Sequence, residues 1–148
     1  MMKATISTII QTNATRMWQE LQKIRSLMAV ASPILVFKPQ KGQRLPPTWE
    51  VGQNYALDLF AFHIFPLGKH YIYVKQIDAQ KGEIYTNEHG SLTKIWNHRI
   101  QIEPLHESTL RYTDEIEIGA GILTPFIWAF AHIFYRHRQR MWKKQLAS

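Results

Sequence analysis

The sequence predicts an α+β domain in which a curved antiparallel sheet wraps around one long C-terminal helix. Three observations carry this reading. Between residues 34 and 118, apolar segments are separated by short turn sequences such as Lys81-Gly82, the pattern of strands joined by hairpins. An apolar stretch then opens at Thr124-Pro125, residue types suited to a helix start. The chain has 148 residues, 45% hydrophobic and 20% charged, the size and balance of one ordinary globular domain. No internal repeat and no low-complexity linker interrupts it, so residues 1–148 are read as one domain.

The elements follow in order. Residues 4–10, ATISTII, alternate apolar and polar and predict a first strand. Thr12 and Asn13 are good helix caps, with Met17, Trp18 and Leu21 behind them at helical spacing. A second short helix is expected from Lys23 to Val30, ended by Ser32-Pro33 because a residue before proline avoids the helical region. Strands are expected at Ile34–Phe37, Asn54–Phe65, Tyr71–Ile77, Ile84–His89, Lys94–Glu103 and Leu110–Ile118. The expected turns include Pro66-Leu67-Gly68, Gly90–Thr93 and Pro104–Ser108. The final helix would run from an N-cap at Thr124 to about Gln145, on the order of 30 Å by helical rise. Ile127, Phe130, Ala131, Phe134 and Met141 fall near its inner face.

Composition excludes several function classes. Cysteine is absent, which removes disulfides, thiol nucleophiles and Cys-ligated zinc, and fits a cytoplasmic protein. The N-terminus has no sustained apolar core of a signal peptide. The run from Gly119 to Tyr135 is broken by Thr124, Pro125 and His132, so a buried amphipathic helix is expected rather than a membrane anchor. The net charge is +7, and Arg136, Arg138, Arg140, Lys143 and Lys144 gather beyond the last acidic residue. These five are expected on the solvated end of the helix, open to weak contact with an anionic membrane surface or RNA.

The order strand, two short helices, strands, long helix, with SPILVF after the helix pair and TPF at the last helix, resembles the START-like superfamily. These proteins are also called Bet v 1-like or polyketide cyclase-like (SRPBCC) proteins. The resemblance covers nearly the whole chain but contains no catalytic motif. It implies a helix-grip fold, with six or seven strands around the long helix and a cavity between them. It also implies a small apolar ligand; separately, no cofactor is expected, since no phosphate-binding loop appears.

Strand periodicity selects the candidate residues. Trp96, His98, Ile100 and Ile102 share one face, as do Leu110, Tyr112, Asp114, Ile116 and Ile118. His98 and Asp114 are thus polar residues on apolar, inward faces. A turn centred on His106 would set them directly opposite each other, where a carboxylate orients an imidazole. Glu88 falls in phase with Ile84 and Thr86 and joins them. The expected ligand contacts are Glu88, Trp96, His98, Tyr112, Asp114, Phe130 and Phe134. His63, His70 and His89 lack metal spacing. Asp58 sits in a strand whose facing the sequence leaves open, on the cavity or on its rim.

The first functional reading is binding of a lipid-, quinone- or polyketide-like molecule between sheet and helix. The second is a cyclase- or dehydratase-type enzyme using His98 with Asp114. A third is a membrane- or RNA-facing module built on the basic end. No phosphate loop and no nucleophile elbow adds weight to the enzyme reading.

Overall fold

Alternating apolar and polar residues in the central part of the chain build one antiparallel sheet of seven strands. The computed structural model describes residues 1–147. Strand β1 (Met2–Ile10) is followed by helices α1 (Ala14–Gln22) and α2 (Ile24–Ala31). Then come β2 (Leu35–Pro39), β3 (Asn54–Ala61), β4 (Phe65–Asp78), β5 (Glu83–Gly90), β6 (Ile95–His106) and β7 (Thr109–Gly119). Helix α3 (Thr124–Leu146) closes the chain. The strand order is β1-β7-β6-β5-β4-β3-β2, every pair antiparallel. This is the helix-grip arrangement, a curved sheet around a long helix.

Local chemistry explains the helix boundaries. The Asn13 side chain accepts from the Arg16 amide at 2.8 Å and caps α1. Helix α2 ends at Ser32, as the following proline requires. Thr124 differs from expectation: it is the first helical residue rather than the cap, and Leu123 takes the cap position. The Thr124 hydroxyl instead closes the preceding turn, donating to the Gly121 carbonyl and accepting from the Ala120 amide.

Two turns also differ. The chain does not reverse at Pro66-Leu67-Gly68. It reverses at residues 62–64, where Phe62 and His63 take φ of 53° and 66°. Pro66 lies inside β4 beyond the reach of β5, which extends only to His70, so no bond on that side needs its missing N–H. A register shift opposite Leu59 and Phe60 absorbs the extra residue. At the other hairpin the strands run to His106 and from Thr109, with a bulge past Pro104. The pairing therefore differs from the expected one by two residues. His98 stands opposite Ile116 and Asp114 opposite Ile100, so the two are diagonal rather than direct neighbours, still on one face.

The inner faces of β6 and β7 match the expected alternation at every position from Trp96 to Ile102 and from Leu110 to Ile118. Asp58 lies on the outer face between Lys38 and Lys69 on the flanking strands. Helix α3 buries Ala131, Phe134, Tyr135, Arg138, Gln139, Trp142 and Leu146. Arg138 is thus a correction: it belongs to the buried stripe, while Arg136, Arg140, Lys143 and Lys144 are exposed. Among the described residues no helix is long and apolar enough to cross a membrane.

The tight β4–β5 turn gives a direct test of this packing. Gly82 has φ of +66°, and a Cβ there would meet the Ile102 carbonyl oxygen at 2.7 Å. Gly42 has φ of +85° but nothing within 4 Å of an added Cβ. In urea unfolding, Gly82→Ala should lose about 2–3 kcal/mol and Gly42→Ala about 1 kcal/mol, because only the first adds a backbone collision to the φ strain.

Candidate functional site

The N-terminal half of α3 stands off the sheet and leaves a cavity of about 520 Å³. Leu35, Phe37 and Leu59 line it from β2 and β3, Trp96 from β6, and Ile127, Phe130 and Phe134 from the helix. Its mouth is edged by Phe62, Leu92 and Ile133, all exposed. A smaller lobe of about 50 Å³ reaches toward Met28, Trp49, Ile72 and His98. Phe37, Glu88 and Arg138 line both lobes and form a waist between them.

The polar groups cluster at that waist and behind it. Glu88 accepts from Thr86 Oγ1 at 2.7 Å and pairs with His70 Nε2 at 2.8 Å. Gly90 faces His70 across the strands, and a Cβ there would run into the Lys69 carbonyl, so only glycine lets β5 approach closely enough. Burial acts to raise the Glu88 pKa, but the His70 bond and charge, the His98 charge and the Thr86 hydroxyl together hold it below its ordinary value.

Asp114 is fully buried and accepts three donors. These are His98 Nε2 at 2.7 Å, the Tyr112 hydroxyl at 2.9 Å and Gln139 Nε2 at 3.1 Å. Gln139 Nε2 also donates to the Ile6 carbonyl at 2.8 Å. Burial, with the Asp114 charge beside it, pushes the Tyr112 hydroxyl well above its ordinary pKa, so it stays a donor. Tyr135 is likewise pushed up by burial, and its hydroxyl accepts from Trp96 Nε1 at 2.9 Å.

The expected residues therefore separate. Glu88, Trp96, Phe130 and Phe134 line the main cavity. His98 lines only the small lobe. Asp114 and Tyr112 line neither lobe; they stand behind the wall, with Tyr112 packed near Trp142 at 6.5 Å between ring centroids. Glu88 bonds His70 rather than His98. The residues missed in the sequence are His70, Tyr135 and Arg138. His70 is in phase with Ile72 and Val74, and Arg138 follows Phe134 by one helical turn, so periodicity alone could have found both. Among the described residues no three His, Asp or Glu side chains converge as metal ligands.

Two outcomes test this electrostatic arrangement. Asp114→Ala strands three buried donors and should cost about 3–5 kcal/mol in chemical unfolding. For Glu88, a folded pKa below its ordinary 4.5 means its stabilisation is fully present above that value. It is lost as pH falls through the lower folded value. Glu88→Gln should flatten the acid limb of the stability–pH curve measured by chemical unfolding.

Comparison with known proteins agrees with this architecture. A protein from Chromobacterium violaceum superposes with a TM-score of 0.77 at 11% identity, covering 99% of this chain and 97% of its own. A START superfamily protein from Mycobacterium smegmatis gives 0.71 at 12% identity, covering 98% and 97%. A conserved protein from Geobacillus kaustophilus gives 0.68 at 15% identity, covering 99% and 95%. At such identities the likeness establishes the fold. No curated protein matches the chain in sequence. Residues 8–146 match the family model of a domain of unknown function, DUF8410; the chain belongs to that family and carries the START-like fold.

Proposed function

We propose that the protein binds one small apolar or amphipathic molecule, of lipid, quinone or polyketide-like character, between the sheet and α3. The observation that carries this reading is the cavity itself. Protein interiors pack to crystal density, with few voids larger than a water molecule. A volume of about 520 Å³ with aromatic and aliphatic walls is instead in the range of small-molecule sites, and a few polar groups at one end are their usual complement. Binding is the better reading than proton transfer by His98. The lobe that His98 faces holds about 50 Å³, space for a few waters but not for a substrate.

Native mass spectrometry of the purified chain should reveal a bound molecule of apolar character, and the neutral dye N-phenylnaphthylamine should bind with enhanced fluorescence. Ala61 lines the cavity, so Ala61→Trp should fill part of it and weaken dye binding by about tenfold or more, on the order of 1.4 kcal/mol. A folded Ala61→Trp variant that binds as the native chain does, or a native chain that takes up no apolar probe, would overturn the reading.

A further inference from the structure

We propose that the ligand is an organic acid, an apolar body carrying one carboxylate, and that Arg138 holds its anionic head at the waist of the cavity. This rests on the reading of the cavity as a ligand site and adds the chemical class of the occupant.

The starting point is an unspent buried cation. Arg138 is 7% exposed and lines both lobes. Among the described residues it makes no hydrogen bond and no ion pair, and its Nε is fully buried without a partner. Its guanidinium carbon lies 5.1 Å from the Tyr135 ring centroid and 5.8 Å from that of Phe134. Ring faces offset part of the cost of burying a cation but accept none of its donors in line. A guanidinium carries five N–H donors, and a buried charge without acceptors costs several kcal/mol.

The neighbouring polar groups do not relieve it, because each is committed elsewhere. Glu88 is held by His70 and Thr86. Asp114 is held by His98, Tyr112 and Gln139. The Tyr135 hydroxyl takes the Trp96 N–H. Burial acts to lower the Arg138 pKa, but the negative charges of Asp114 and Glu88 nearby oppose it, and the side chain stays charged. These groups leave the cation without an acceptor at the waist of the cavity it lines.

A carboxylate matches what is left over. It is planar, accepts two parallel N–H bonds from a guanidinium and supplies the missing charge. An alcohol or ketone offers a single oxygen and no charge. With the head at Arg138, the apolar body extends through the large lobe past Trp96 and Phe130 toward the mouth at Phe62 and Leu92. Glu88 on the same waist opposes an incoming anion, so the preference for acid over neutral analogue should be about tenfold to hundredfold rather than the larger ratio of an isolated pair.

The test displaces bound N-phenylnaphthylamine from the full chain with octanoate, dodecanoate and palmitate, and with the alcohols of the same chain lengths. Acids should compete at least about tenfold better than their alcohols. In Arg138→Gln the acid-to-alcohol ratio, read against that variant's own dye affinity, should fall to about one. Arg138→Met, which removes the unpaired charge, should melt no lower than the native ligand-free chain. Acids and alcohols competing equally in the native chain would overturn the acid assignment and leave the cavity reading standing. If neither the dye nor any competitor binds, both readings fall. An acid preference that survives in Arg138→Gln overturns the role of Arg138. Unfolding of both variants would show that Arg138 braces the fold, and would overturn it as well.

Discussion

One buried carboxylate joins the parts of this fold. Asp114 sits on β7 and receives His98 from β6, Tyr112 from its own strand and Gln139 from α3. The same Gln139 amide reaches β1 through the Ile6 carbonyl. Three strands and the helix are therefore tied at one fully desolvated point, where each lost bond leaves an unpaired polar group. That tie sets the height of α3 above the sheet. Beyond it toward the C-terminus, Trp142 and Leu146 sink into a filled core with Met17, Leu21 and Leu110. Before it, the helix stands away from the sheet and the cavity opens.

The helix thus does two things with one stripe of side chains. Its last turns give adhesion, and its first turns give a wall. Arg138 is next in sequence to Gln139 and lies at the boundary between them. The fold is shared with solved proteins at 11–15% identity, so what fills the gap is decided by the side chains of this chain and not by the architecture.

How much could be read in advance depended on which physical signal was strong. In β6 and β7 a polar residue alternates with a large apolar one, and a one-residue slip would turn the whole apolar set to water; facing was legible there, including the inward placement of His98 and Asp114. The exact pairing was not, because it depends on a bulge at Leu105 that composition does not mark. Pro66-Leu67-Gly68 has turn chemistry, yet the chain reverses at Phe62 and His63, which have none. A turn placed at Pro66-Leu67-Gly68 would shorten β4, which in fact runs from Phe65 and carries His70 on its inner face. Arg138 was read by its charge, although its spacing from Ala131 and Phe134 places it on the buried stripe. Tyr112 was read as a ligand contact because it faces inward. Inwardness does not say at which end of the sheet the packing is incomplete.

The uneven seating of α3 has a consequence for its motions. Backbone amides exchange with solvent according to the free energy of local opening, which follows the density of buried contacts around each turn. In α3 the turns after Gln139 are packed on solid core and anchored by the Arg16 bond to the Leu146 carbonyl. The turns around Ile127 and Phe130 are only half-buried and border a void. The two halves of this continuous helix are therefore packed differently, and local opening should cost less in the N-terminal half that borders the cavity than in the C-terminal half on solid core. For a cavity that takes a ligand as proposed, that weaker half is the wall whose local opening would admit the occupant while the C-terminal half stays seated.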